Sequence, residues 1–117
     1  MTRIIGRLVD CGIKPVMMTL PPINSDKYFN CITRDGKSRE NILKWLGDVD
    51  VIYRYQEMYS DAVATLAHKL GVFCVDVREY LLGYNNLELV SADGIHPSAK
   101  GYELIFGKLF EVLKNYI

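Results

Sequence analysis

The sequence predicts one α/β domain built on a parallel sheet, and three observations support this prediction. Two short apolar runs, at residues 14–20 and 72–77, are typical of strands that are buried on both faces. Between them, residues 50–70 carry a single apolar stripe at helical spacing, which ends before Gly71. The order strand, helix, strand is the crossover unit of a parallel sheet. With 117 residues, 50% of them hydrophobic, the chain can form one small domain with its own core.

The remaining elements follow from apolar periodicity and from capping signals. An amphipathic helix is predicted over residues 2–12, with Gly12 as its cap, and shorter helical segments over residues 40–46 and 78–82. Residues 21–38 and 84–91 are predicted as loops. A final helix is predicted from Pro97 to the end, with these residues on its inner face: Tyr102, Ile105, Phe106, Leu109, Val112, Leu113 and Tyr116.

Composition and charge argue against several classes of protein. Fourteen basic residues balance fourteen acidic ones, so we expect neither nucleic acid nor a membrane surface as a partner. Cys11, Cys31 and Cys74 are odd in number and widely spaced, which predicts reduced thiols and neither a zinc site nor a disulfide framework. No metal or cofactor is predicted. Without an apolar run near ~20 residues or a signal-peptide pattern, the sequence predicts a cytoplasmic protein.

The strongest functional signal lies in the turn that precedes the final helix. Pro97 disfavours helical geometry at His96 and suits the first helical position, so His96 is predicted as the last loop residue. Asp93, three residues earlier across Gly94, can reach one imidazole nitrogen and leave the other free to act as a base. The alternative is a structural turn, because Asp, Gly and Pro are ordinary turn residues and a His may cap a helix.

The segment Asp93-Gly94-Ile95-His96-Pro97, followed by Gly101-Tyr102, resembles the last conserved block of the SGNH (GDSL-type) esterase and acylhydrolase family. The likeness extends to Pro21-Pro22 after the first strand and to Val75-Asp76-Val77 at the second. It implies a flavodoxin-like three-layer α/β/α sandwich, of which this chain matches the C-terminal half. It also implies that Asp93 and His96 are catalytic and complete a Ser-His-Asp triad that hydrolyses small ester or O-acetyl groups.

The resemblance also implies residues that this sequence does not contain. The family's serine lies in a Gly-Asp-Ser block and its oxyanion donors include a Gly-x-Asn-Asp block, yet neither motif is present. Gly47-Asp48-Val49 has valine in the nucleophile's place, and Ser91 is the least implausible substitute. We therefore expect this chain alone to be inactive. The alternatives are a truncated α/β module with a binding or assembly role, or a cysteine hydrolase that pairs Cys31 or Cys74 with His96.

Two further expectations concern contacts with partners. Loops that leave the carboxyl ends of parallel strands face the ligand crevice, so Asn24, Tyr28 and Phe29 are predicted to contact the ester substrate. The alternative is that they are solvated loop residues. In the family's strand order, residues 15–20 would pair with a strand of the missing half, which predicts an exposed sheet edge. We expect a homodimer that continues the sheet through that edge.

Overall fold

The computed structural model describes residues 1–36 and 38–116, which form seven helices and two short parallel strands. In chain order the elements are α1 (Thr2–Asp10), β1 (Val16–Met18), α2 (Ser25–Ile32), α3 (Arg39–Leu46), α4 (Asp50–Leu70), β2 (Phe73–Val75), α5 (Val77–Leu82), α6 (Asn86–Leu89) and α7 (Ala99–Tyr116). The predicted α/β class with a parallel sheet is confirmed, whereas this two-stranded sheet does not establish a three-layer sandwich. Lys37, in a predicted loop, and Ile117, in the predicted final helix, lie outside the described residues.

The sheet is covered by apolar side chains on both of its faces. In β1, Met17 packs with Ile5 of α1 and Ala67 of α4, while Met18 packs against the cluster that contains Val75. Successive side chains of a strand point to opposite faces, so these clusters lie on opposite sides of the sheet. The second cluster joins β2 to α5, α6 and α7 through the buried residues Val75, Val77, Leu81, Leu89 and Ile105.

Strand β2 is shorter than predicted because the residue that follows it caps the next helix, α5. Asp76 follows β2 and caps α5, since its carboxylate accepts a hydrogen bond from the Glu79 N–H at 3.0 Å.

The final helix, α7, begins at Ala99 and therefore two residues later than predicted. Pro97 lies outside the helix and forms an isolated antiparallel bridge with Val90. The hydroxyl of Ser98 then accepts from the Gly101 N–H at 3.1 Å, as an N-cap side chain does.

Both of the predicted loops contain a helix, so that part of the prediction is wrong. Helix α2 begins after Asn24, whose side-chain oxygen accepts from the Lys27 N–H at 2.9 Å. Helix α6 begins after Asn85, whose side chain accepts from the Leu87 N–H at 3.1 Å. The predicted central helix α4 is confirmed, and it ends at Gly71 in the left-handed conformation.

Helix α7 does not bury every residue that was predicted to lie on its inner face. Ile105 is buried, but Phe106 is 69% exposed and Tyr102 is also exposed. The apolar positions therefore extend around the helix beyond the side that contacts α5 and α6. No helix in the two described ranges has both the length and the apolar character needed to cross a membrane.

Candidate active site

Asp93 and His96 make the contact that their spacing predicts. The Asp93 Oδ2 atom lies 2.5 Å from the His96 Nδ1 atom. The other carboxylate oxygen, Oδ1, accepts hydrogen bonds from the Ser91 hydroxyl at 2.7 Å and from the backbone N–H groups of Ile95 and His96 at 3.0 Å each. The Ser91 N–H donates to the His96 carbonyl at 2.8 Å and closes the turn. Four donors thus hold one carboxylate in a fixed orientation.

These donors set the charge of the carboxylate. The backbone N–H of His96 and then its side chain, followed by the Ile95 N–H and the Ser91 hydroxyl, hold the pKa of Asp93 well below its usual range. Asp93 is therefore anionic at neutral pH, so the neutral imidazole donates its Nδ1 proton to it.

The second ring nitrogen of His96, Nε2, makes no hydrogen bond to the residues that the structure describes. The His96 side chain is 64% exposed, and its Nε2 atom has no hydrogen-bond partner within the described ranges. With Nδ1 protonated, Nε2 carries the lone pair of the neutral imidazole. This nitrogen can accept a proton from any hydroxyl that comes within hydrogen-bond reach. The arrangement is that of a general base with a carboxylate that fixes its tautomer and orientation.

The N-terminal end of α2 clamps the turn in place at Gly94. Gly94 is buried, has a φ of +83°, and accepts a hydrogen bond from the Asn24 N–H at 2.9 Å. A Cβ atom at this position would lie 2.1 Å from the Tyr28 backbone nitrogen and 2.7 Å from the Asn24 carbonyl oxygen. Only glycine fits this close approach in the left-handed region. The position of the base is therefore fixed by a contact across about 70 residues of chain.

Polar side chains also connect α2 to α6, which lies directly before the turn. The Asn24 amide donates to the Asn86 side chain at 2.8 Å. The Lys27 ammonium donates to the carbonyl oxygens of Leu87 and Val90, both at 2.8 Å. Sequence reasoning did not identify Lys27 or Asn86, since each acts on residues about 60 positions away. Both residues hold the segment that leads into the turn that contains Asp93 and His96.

The three predicted substrate contacts occupy different positions relative to this turn. Asn24 lies against the turn, but its side chain is used to cap α2 and to bind Asn86. Tyr28 is half-buried, and its backbone lies under Gly94. Phe29 is 3% exposed, with the Arg39 guanidinium 4.6 Å from its ring centroid, so the expectation of an exposed loop residue is wrong here. A substrate contact by any of the three stays a prediction.

A second polar network lies at the carboxyl ends of the two strands. The buried Thr19 hydroxyl donates to the Asp76 carboxylate at 2.9 Å and accepts from the Arg78 N–H at 3.1 Å. The guanidinium of Arg78 is buried and donates to the Gln56 side chain and, at 3.4 Å, to the Leu20 carbonyl. This network connects both strand ends to α4 and α5. It fixes the end of β1, which precedes the loop leading to α2, and the end of β2, which leads into α5.

The described residues offer no hydroxyl or thiol that is paired with the His96 base. The Ser91 hydroxyl is directed to Asp93, and that of Ser60 accepts from the Leu20 N–H at 3.1 Å. The cysteines form no disulfide, and burial is the main cause that raises the pKa of the Cys74 thiol, so this thiol is not activated. Within the described ranges the site therefore consists of a base and its orienting carboxylate.

Comparison with known proteins gives one distant similarity. No protein-family model matches the chain. The chain is similar to the GDSL esterase/lipase CPRD49 of Arabidopsis thaliana, with 27% identity over 101 residues. The match covers 86% of this chain and 36% of the relative, so the chain spans about a third of that protein's length. This distant similarity supports a relationship to the GDSL family and no finer assignment.

Proposed function

We propose that the chain carries the acid–base part of a serine ester hydrolase site. The observation that carries this proposal is the 2.5 Å contact between Asp93 and His96, which leaves the His96 Nε2 atom free and exposed. The distant similarity to a GDSL esterase/lipase supports the same reaction class. The proposed substrates are small esters or O-acetyl groups, in which a carbonyl carbon is attacked by an oxygen nucleophile.

Each proposed proton transfer uses the same nitrogen atom. His96 Nε2 takes the proton of the nucleophilic hydroxyl while that oxygen bonds to the carbonyl carbon, and then gives the proton to the departing alkoxide. A water molecule is activated in the same way to release the acid from the acyl-enzyme. Asp93 keeps its negative charge throughout and stabilises the imidazolium that forms.

The proposal places the nucleophile and the oxyanion donors outside residues 1–117. The sequence contains no Gly-Asp-Ser block, and the serine hydroxyls that the structure describes do not contact His96 Nε2. Removing one oxyanion donor alone typically costs ~3–4 kcal/mol of the barrier, so a base without these partners is expected to be a poor catalyst. The same observation favours the second candidate, an inactive α/β module with a binding or assembly role.

Two measurements test the catalytic assignment. A fluorophosphonate probe should label no serine of the purified chain, because no hydroxyl is paired with the base. In the longest in-frame protein that contains this chain, His96→Ala should lower kcat for p-nitrophenyl acetate by on the order of 10⁶-fold. His68→Ala is the matched control, since His68 is the other histidine and is exposed on α4. Activity of His96→Ala within tenfold of the parent protein would refute the assignment.

We also propose a homodimer that continues the sheet through the outer edge of β1. In the described ranges β1 pairs with β2 alone, and Val16 at its start is exposed. An unpaired edge presents backbone donors and acceptors that a second strand can satisfy. A second copy of the chain would supply that strand.

A further inference from the structure

An apolar cleft lies beside the catalytic turn. Its volume is about 80 Å³, which is room for about three water-sized groups at the ~30 Å³ that each occupies in the liquid. Leu81 and Leu89 are buried and form its floor, while Leu82 and Tyr84 are exposed and lie at its rim. A cleft with a buried apolar floor and an accessible rim is suited to a small apolar ligand.

One residue of the cleft wall is the chain neighbour of the proposed base, His96. Pro97 forms part of the wall and follows His96 in the chain, and consecutive Cα atoms are about 3.8 Å apart. The Ser98 N–H donates to the Leu89 carbonyl at 2.7 Å, which holds the floor of the cleft against the end of the turn. A ligand in this cleft therefore lies at the same end of the molecule as His96.

The polar side chains that line the cleft are already occupied. The Asn86 amide donates to the Ile23 carbonyl at 3.1 Å and accepts from Asn24 at 2.8 Å. The Tyr84 hydroxyl donates to the Tyr80 hydroxyl at 3.2 Å. The other described lining residues are leucines and prolines, and none of the described residues that line the cleft is charged. The lining therefore favours a hydrocarbon chain over a charged or strongly polar group.

We propose that this cleft binds a short, unbranched alkyl arm of an ester, with a limit of about three carbon atoms at ~30 Å³ each. Its role as a substrate subsite rests on the proposed function, whereas the binding itself does not. The arm belongs either to the acyl side or to the alkoxy side of the ester. Both kinds of arm are saturated hydrocarbon chains, and the ester series described next distinguishes them.

A chain-length series on the purified protein tests the proposal. Acetate esters from ethyl to octyl extend the alkoxy arm, and methyl esters from acetate to octanoate extend the acyl arm. Affinity should rise about fourfold for each methylene, equal to ~0.8 kcal/mol, and should stop rising at about three carbons. Amide chemical shifts of Leu82, Tyr84 and Leu89 should follow the binding. A rise that continues to eight carbons, or shifts confined to the exposed Phe106 region of α7, would overturn the proposal.

Two tryptophan variants sharpen the test. Leu82→Trp fills the rim of the cleft at an exposed position and should weaken propyl acetate binding at least tenfold. Leu87→Trp is the matched control, because Leu87 is an exposed leucine that does not line the cleft. Equal affinities of the two variants would refute the location. His96→Ala should retain propyl acetate binding, so failure of the base assignment and failure of the cleft give separate readouts.

Discussion

Replacing Gly94 by alanine should destabilise the domain by far more than the conformational preference of glycine explains. Gly94 has a φ of +83°, and its Cα atom faces the backbone of α2. An alanine Cβ would lie 2.1 Å from the Tyr28 nitrogen and 2.7 Å from the Asn24 carbonyl oxygen. These neighbours are backbone atoms in the first turn of a helix, so they cannot move aside as the end of a flexible side chain can.

Three contributions set the expected size of the effect. The left-handed conformation costs roughly 1–2 kcal/mol for a residue with a Cβ atom, and overpacking typically costs about 1–3 kcal/mol. Separation of the two segments also weakens the hydrogen bond from the Asn24 N–H to the Gly94 carbonyl, worth ~1 kcal/mol. The expected loss is about 3–6 kcal/mol, a large part of the ~5–15 kcal/mol that stabilises a typical domain. For 117 residues this corresponds to a decrease in Tm of roughly 12–24 °C.

Two other glycines separate the causes when the variants are compared by thermal and urea denaturation followed by circular dichroism. Gly71 has a φ of +64° but open space around a Cβ, so Gly71→Ala should cost only the ~1–2 kcal/mol of backbone strain. Gly107 lies inside α7 with open space and no positive φ, so Gly107→Ala should stabilise by about 0.5–1 kcal/mol. If Gly94→Ala costs no more than Gly71→Ala, the close approach between the turn and α2 is absent.

The two remaining predictions concern acid stability and assembly. The pKa of Asp93 is lower in the folded protein than the ~3.9 of an unfolded aspartate, so its stabilisation is complete above about pH 4 and is lost as the pH falls through the folded value. Urea denaturation at pH 5 and pH 2.5 should therefore show a smaller loss of stability in Asp93→Asn than in the wild type, and equal losses would contradict this. Sedimentation equilibrium should give twice the 13.4 kDa chain mass, and Val16→Lys at the strand edge should shift the protein toward monomer. A monomeric wild type in dilute buffer would exclude the dimer.

The parts of the molecule that the sequence predicted are those with local causes. The contact between Asp93 and His96 closes within three residues, so residue type and spacing were sufficient to predict it. Helix α4 was predicted from 21 residues of apolar periodicity and from Gly71, which ends it in the left-handed conformation. The cap of α5 is equally local, because the Asp76 carboxylate accepts from the Glu79 N–H three residues later. In each case the determining residues lie within a single turn or a single helix of the chain.

The missed helices depend on tertiary contacts. Helices shorter than about 12 residues are marginal on their own, and α2 and α6 have 8 and 4 residues. The bonds from Lys27 to the Leu87 and Val90 carbonyls join them across about 60 positions of sequence. The spacing of apolar residues along the chain gives no information about hydrogen bonds between such distant residues. Phe29 was assigned to an exposed loop for the same reason, because its burial follows from the packing of α2.

Local contacts orient the His96 imidazole, whereas distant contacts place the turn that carries it. The tautomer and orientation of the His96 imidazole are set by Asp93 inside the turn, so they do not depend on how the turn is placed on the sheet. The placement depends on Gly94 against α2 and on Lys27 against the segment that leads into the turn. A change at Lys27 would therefore move the base and its carboxylate together as one unit. In the proposed hydrolase, its effect would fall on the alignment of His96 Nε2 with the nucleophile, where a displacement of about 1 Å can cost 10²-fold in rate.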